Sequence, residues 1–212
     1  DSNTIKYAVD TINTDNGTIY LSHDGGTATT TYTLTTSESI PSNITLIIEN
    51  GAVIDGAGTL TFDNPGQIVA ESSQPIFGST LVASSLVTFT RGGEIYFEWF
   101  GAEGDGSTDD SAAVQAAYDS MSGCGGTIKM LTRTYRIVSQ VLVNSTHINH
   151  RTVGSGGTTF NESSLYHGST FYCNASSTVF FHFDGNDALE HSGPIFEHVN
   201  FVGSSTTSTV LL

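Results

Sequence analysis

The residues best suited to chemistry are three acids in one short segment near the end of the chain. Asp184, Asp187 and Glu190 lie within the segment FDGNDALE, between two predicted strands. Two carboxylates held close together can divide the acid and base roles of glycan cleavage, so Asp184 and Asp187 are the candidate catalytic residues. Turns also favour Asp and Asn for conformational reasons, so an ordinary solvated turn is the alternative. No Lys or Arg accompanies these acids, which counts against lyase chemistry on an acidic glycan within this segment.

A second acidic group comprises Asp105, Asp109 and Asp110. Carboxylate oxygens are the ligands that calcium prefers, so a calcium site is one interpretation. The other is turn and capping chemistry, in which Ser107 or Thr108 caps a helix and places Asp109 and Asp110 in its first turn, near the positive end of the helix dipole. Because these positions already explain the residues, we predict neither a metal nor another cofactor.

Trp99 and Phe100 stand just before that acidic group. Two adjacent aromatic rings could form a stacking platform for sugars. Large aromatic side chains also dominate core packing, and we therefore predict that both rings pack beneath the following helix and close an open end of the fold.

Two kinds of covalent modification are open from the sequence. N-glycosylation sequons occur slightly more often than chance predicts, and glycosylation is the secondary interpretation of them. The five sequons are at Asn16, Asn43, Asn144, Asn161 and Asn174. Cys124 and Cys173 could form one disulfide or remain as two buried thiols.

Two short helices and an internal repeat organise the chain. Ile5, Ala8, Val9 and Ile12 have the spacing of one apolar helix face, and the same spacing recurs in the set Val114, Ala117, Tyr118 and Met121. Each predicted helix is followed by a glycine turn and then by Gly-Thr-Ile, at residues 17–19 and 126–128. We predict the second helix at about 108–122, ending at the glycines of 123–126.

The remaining pattern consists of short strands. They are predicted from apolar runs at 44–48, 52–54, 60–62, 67–70, 86–89, 171–173, 179–183, 195–201 and 208–212. Uneven turns of Gly, Asn, Asp and Ser separate them, which favours the coils of a parallel β-helix over a sandwich. The apolar strand at 208–212 predicts that a further segment or a second subunit covers that end.

Composition excludes some classes of function. Acids outnumber bases 21 to 6, which gives a formal net charge of −15. Six scattered cations cannot form a basic face, so we predict no binding of nucleic acid. No apolar run is long enough to span a bilayer, so no membrane insertion is predicted. An acidic, Lys-poor surface suits an extracellular or high-salt setting.

Residues 94–128 carry a resemblance to a known family. In order, they contain Phe100-Gly101-Ala102, Gly104-Asp105-Gly106, Thr108-Asp109-Asp110 and an Ala-rich helix, and Tyr135-Arg136-Ile137 follows. This pattern resembles the opening motif of the pectate-lyase-like superfamily of right-handed parallel β-helices. The segment 40–54 is similar to first-coil sequence of the same family. The motif residues Trp99, Phe100, Gly101, Asp105, Asp109 and Asp110 belong to the entrance of that fold and not to its catalytic machinery.

The resemblance implies an all-β fold, a right-handed single-stranded parallel β-helix with short N-terminal capping helices. We expect two consecutive β-helical units, residues 1–95 and 96–212. The leading hypothesis is a tailspike-like protein, extracellular or on a virion surface, that recognises cell-surface polysaccharide as a homotrimer, with this part serving attachment and rigidity. The alternatives are a secreted polysaccharide lyase or glycoside hydrolase, and a subunit that stacks end to end into an extracellular filament. Whether the chain is an enzyme is left open.

Overall fold

The part of the protein that the structure describes consists mostly of short strands, with three α-helices among them. The computed structural model describes residues 4–144, 147, 149–156, 168–173, 181–184 and 195–203, with the backbone alone at residues 4, 144 and 181–184. The helices of this part are α1 (Thr4–Ile12), α2 (Ser79–Ala83) and α3 (Ser111–Ser120), with 3-10 helices at Pro65–Gln67 and Phe97–Phe100. The strands are β1 (Gly17–Leu21), β2 (Thr30–Leu34), β3 (Glu38–Ile40), β4 (Ile44–Ile48), β5 (Ala52–Gly56), β6 (Leu60–Phe62), β7 (Ile68–Val69), β8 (Val87–Phe89), β9 (Glu94–Tyr96), β10 (Asp105–Asp109), β11 (Gly126–Lys129), β12 (Thr134–Ile137), β13 (Val141–Asn144), β14 (His150–Val153), β15 (Ser169–Cys173), β16 (Phe181–Asp184), β17 (Ile195–Glu197) and β18 (Val199–Gly203).

All strand pairs in the described residues are parallel. The sheets have the orders β1-β4-β7, β2-β5 and β3-β6-β8, then β9-β11-β14-β17, β10-β12-β15-β18 and β13-β16. In the segments β1–β7 and β11–β18, three successive strands join three different sheets and the fourth returns to the first sheet, whereas β8–β10 depart from this order. Parallel strands require a crossover connection between partners, which explains why no pair of described strands is joined by a tight hairpin. The prediction of an all-β chain is confirmed at this level.

The core is built from the side chains that point inward at alternate positions along each strand. In β4 the side chains of Ile44, Leu46 and Ile48 are buried, and the two residues between them face outward. Register places similar side chains on top of one another, as with Phe62 of β6 and Phe89 of β8, whose ring centroids lie 5.5 Å apart. Such contacts between neighbouring strands are the main stabilising unit of a sheet.

The two predicted helices are confirmed. Ile5 and Val9 of α1 are buried against the core, with Ala8 and Ile12 packed beside them. In and just after α3, the predicted stripe is completely buried at all of its positions, Val114, Ala117, Tyr118 and Met121. The strands that follow α1 and α3, β1 and β11, are the two copies of the Gly-Thr-Ile repeat.

The predicted start of α3 was wrong. Ser107 and Thr108 lie in β10 and do not cap the helix, and the N-cap position belongs to Asp110. The helix begins after Asp110 because that carboxylate accepts backbone hydrogen bonds from Glu103, Gly104 and Arg136 and is held in the loop. Asp109 instead accepts a hydrogen bond from the backbone N–H of Ser111, at 3.0 Å.

Within the described residues, one hydrophobic core runs across the predicted boundary at residues 95 and 96. Its buried side chains form one cluster that includes residues from both predicted units. Backbone contacts join the two sides as well, since the N–H groups of Ile76 and Phe77 both lie 3.0 Å from the carbonyl oxygen of Trp99. The division into two units stays a prediction. None of the helices in the described residues is long and apolar enough to cross a membrane.

Candidate functional site

The motif at residues 97–110 contains two deeply buried carboxylates. The Phe97–Phe100 helix and the loop after it carry both acids into contact with β12 and α3. Glu98 and Asp110 are each 1% exposed. A buried charge is costly unless hydrogen bonds or ion pairs compensate it, so the partners of each acid define what this site can do.

Asp110 acts as an acceptor that ties three segments together. Its Oδ1 accepts the backbone N–H of Glu103 at 2.8 Å, and its Oδ2 accepts those of Gly104 at 3.3 Å and Arg136 at 3.1 Å. Burial raises the pKa of this carboxyl to about 6, although the amide donors act in the opposite direction. The carboxylate fixes the loop before α3 against the end of β12.

Glu98 is a buried carboxylate that the sequence analysis did not identify. Its Oε1 accepts a hydrogen bond from the hydroxyl of Tyr135 and lies 3.9 Å from Nε of Arg133, while its buried Oε2 has no hydrogen-bond partner in the described residues. Burial raises the pKa of Glu98, and burial together with the nearby carboxylate raises the pKa of Tyr135. The available signal was a lone acid between the aromatic residues Phe97 and Trp99.

The aromatic pair of the motif is buried, as predicted. Trp99 and Phe100 pack in the core next to α3, which excludes them as an exposed stacking platform. The indole Nε1 of Trp99 donates to the carbonyl oxygen of Glu71 at 3.0 Å, and the Phe100 ring lies 5.0 Å from that of Phe77. Gly101 has φ 86°, a left-handed conformation that ends the 3-10 helix and favours glycine.

Asp105, Asp109 and Asp110 use their oxygens for local hydrogen bonds. Asp105 accepts the backbone N–H groups of Ser107 and Thr108 and both of their hydroxyls, and these bonds hold its pKa well below the usual range. Among the described residues no group of three or more His, Cys, Asp or Glu side chains has the geometry to hold a metal ion. These hydrogen bonds are structural, but the predicted capping was wrong, since Ser107 and Thr108 lie in β10 and Asp110 stands at the N-cap position.

The candidate catalytic acids lie at the margin of the described structure. Asp184 is the last residue of β16, in register with Asn144 of β13, and only its backbone is described. Asp187 lies outside the described residues. Their catalytic role stays a prediction.

The sequons differ in how their asparagines are used. Asn16 is exposed, whereas Nδ2 of Asn43 donates to the carbonyl oxygens of Asn13 and Asp15. Asn43 therefore links the turn after α1 to β4, and a glycan on its Nδ2 would disrupt that link. Asn144 has only its backbone described, and Asn161 and Asn174 lie outside the described residues.

The cysteines are both free thiols, Cys124 half-buried and Cys173 buried in β15. Burial raises the pKa of both thiols, that of Cys173 to about 12. Neither thiol is activated for nucleophilic chemistry, since the reactive species is the thiolate.

A polar network under α3 was also missed by the sequence analysis. Asp119 accepts hydrogen bonds from the Ser85 hydroxyl at 2.7 Å and from Gln115 at 2.8 Å, and it lies 3.0 Å from Nε2 of His147. These contacts lower the pKa of Asp119 against the opposing effect of burial. The network joins α3 to the turn before β8 and to residue 147.

Comparison of the chain with protein-family models, with curated proteins and with solved structures found no match.

Proposed function

We propose that this chain is part of an extracellular or virion-surface protein of the tailspike type, which recognises cell-surface polysaccharide and uses this segment mainly for attachment and rigidity. In this proposal the parallel sheets are the faces of a right-handed single-stranded parallel β-helix. The pairing order supports it, because β1, β2 and β3 pair in turn with β4, β5 and β6. Likewise β11, β12 and β13 pair with β14, β15 and β16.

The proposed structural role is supported mainly by the hydrogen bonds that the acidic side chains of the motif accept within the fold. Asp105, Asp109 and Asp110 all accept hydrogen bonds from nearby amides or hydroxyls, and Glu98 is buried beneath Tyr135. A catalytic acid must reach its substrate, whereas Glu98 and Asp110 hold segments of the fold together. The motif thus stabilises a stack of strands.

A glycan screen tests this function. The folded protein is incubated with polysaccharides extracted from cell surfaces, and both retention and product formation are measured. We expect retention of at least one glycan without new reducing ends or unsaturated sugars. Product formation by the wild-type protein would contradict the structural role and would favour a polysaccharide lyase or glycoside hydrolase.

Oligomeric state tests the proposed assembly. Native mass spectrometry over a range of concentrations is expected to give a closed homotrimer. An open-ended series of assemblies would contradict the trimer and favour end-to-end stacking into a filament, because a heterologous contact that does not close generates fibres.

A further inference from the structure

Every cation of this chain is already engaged within the protein. All six Lys and Arg residues lie in the described part, and five of them contact a carboxylate: Lys6 with Asp10 and Glu38, Arg91 with Asp63, Lys129 with Glu94, Arg133 with Glu98, and Arg151 with Glu197. The sixth, Arg136, donates to the carbonyl oxygen of Ser107 at 2.8 Å.

This pairing limits the charge of a ligand. Redirecting one of the five carboxylate-paired cations to an anionic group would uncover the carboxylate that it now faces, so little net attraction would result. The 21 acids leave a formal net charge of −15, which disfavours association with a polyanion. A polymer of uronic acids is therefore a poor partner for this protein.

One outward sheet face combines an exposed aromatic ring with four uncharged side chains, and Glu49 contacts the ring hydroxyl at its edge. On the sheet β1-β4-β7, the outward residues are Thr18 and Tyr20 of β1, Thr45 and Ile47 of β4, and Val69 of β7. In register, Tyr20 lies beside Ile47, and Ile47 beside Val69. Tyr20 is 57% exposed and Val69 51% exposed. We call these five residues the Tyr20 face.

The chemistry of the Tyr20 face matches that of an uncharged sugar chain. A tyrosine ring offers an apolar surface for the C–H groups of a pyranose, and the threonine hydroxyls can donate and accept hydrogen bonds. Successive strands are about 4.8 Å apart, so the face extends in steps along the sheet. The hydroxyl of Tyr20 donates to Oε1 of Glu49 at 3.3 Å, which helps to orient the ring.

The sheet β9-β11-β14-β17 differs from the Tyr20 face because its outward side chains are charged. There the outward residues include Glu94, Lys129, Arg151 and Glu197, which neutralise each other in pairs. An uncharged ligand gains nothing from breaking these pairs, and they leave no unpaired cation for an acidic one.

We infer that the Tyr20 face binds an uncharged glycan and that the protein discriminates against acidic polysaccharides. This inference rests on the proposed function, and it adds the chemical class of the glycan and the surface that binds it.

The first experiment tests the charge class. Binding of dextran and mannan, which are uncharged, is compared with binding of polygalacturonate by affinity electrophoresis at low ionic strength. EDTA is included so that divalent cations cannot bridge two anions. We expect retardation by an uncharged glycan and none by polygalacturonate. Binding of polygalacturonate under these conditions would overturn the inference and leave the proposed function intact.

The second experiment tests the surface. Tyr20→Ala is expected to weaken binding of the uncharged glycan about tenfold or more, whereas Tyr20→Phe, which keeps the ring, is expected to retain it. Tyr7→Ala is the matched control, since Tyr7 is 65% exposed on α1 and lies off this sheet. Circular dichroism confirms that each variant is folded.

The remaining outcomes are distinct. Equal binding by wild type and Tyr20→Ala would overturn the assignment of the surface. Equal losses in Tyr20→Ala and Tyr7→Ala would also overturn it, because the effect would not be specific to the Tyr20 face. Failure of the wild-type protein to bind any glycan, including extracted cell-surface polysaccharides, would contradict the proposed function itself.

Discussion

At the scale of single residues, the two buried acids differ in how their carboxylate oxygens are hydrogen-bonded. Asp110 accepts hydrogen bonds from three backbone N–H groups, whereas Glu98 has an oxygen without a hydrogen-bond partner in the described residues. Burial dominates both, so the folded protein holds protons on these groups at a pH at which an unfolded chain has released them.

The raised pKa of Asp110 makes the free energy of unfolding depend on pH. The contribution of Asp110 is fully present below pH about 4, the ordinary range of an aspartate, and is lost as pH rises through its pKa of about 6. Relative to wild type, Asp110→Asn should therefore become less destabilising between pH 4 and 7, by up to about 3 kcal/mol. Urea unfolding of both proteins at several pH values measures this.

The comparison with Asp110→Asn is needed because other groups act in the opposite direction. Asp119 and Glu197 have lowered pKa values, so their contributions are lost as pH falls. These groups are common to both proteins and cancel in the difference. A destabilisation by Asp110→Asn that grew with rising pH would contradict the burial of a raised-pKa acid at this position.

The thiols give a second prediction at this scale. Cys173 is buried with a raised pKa, and Cys124 is half-buried. Iodoacetamide at neutral pH should modify Cys124 slowly and Cys173 only after unfolding, as read by mass spectrometry of peptides. Cys124→Ser should remain unlabelled when folded. Labelling that required prior reduction would instead indicate a disulfide.

At the scale of elements, the 3-10 helix Phe97–Phe100 joins the aromatic core. The ring of Phe97 lies 5.6 Å from that of Tyr135 and 5.8 Å from that of Phe171, and it also approaches Tyr118 of α3. The helix thereby brings β12, β15 and α3 into one packed group.

Truncation of this ring tests that packing. Phe97→Ala should lower the free energy of unfolding by about 3–5 kcal/mol, because it removes a fully buried ring and leaves a cavity. Tyr7→Ala, at an exposed position, should change it by no more than about 0.5 kcal/mol. Similar losses in the two variants, measured by urea denaturation, would contradict a central role for Phe97.

The helices α1 and α3 and many of the strands could be predicted, because a buried face leaves a direct pattern in the sequence, whereas the short helix α2 was not predicted. Val114, Ala117 and Tyr118 repeat at helical spacing, and the apolar run at 44–48 forms β4. The strand β10 could not be predicted, since its residues Asp105–Asp109 are typical of turns and become extended by pairing with the distant β12. The burial of Glu98 likewise depends on Tyr135, which sequence spacing does not connect to it.

At the scale of the whole molecule, the shared core predicts one cooperative transition. Trp99 is the only tryptophan and is buried at the junction between residues 1–95 and 96–212. Unfolding followed by its fluorescence should coincide with unfolding followed by far-UV circular dichroism. Two separate transitions would show that the predicted units unfold independently.

The uneven spacing between paired strands has a consequence for how such a sequence can evolve. The chain returns to the same sheet between Leu46 and Ile68, but between Ile95 and Ile128 it takes a longer path, which includes α3. Register is fixed by the strands, so the added length is absorbed outside the ladder. Insertions and deletions in these connections can therefore accumulate without shifting a buried side chain, and whole loops can be exchanged while the ladder is inherited unchanged.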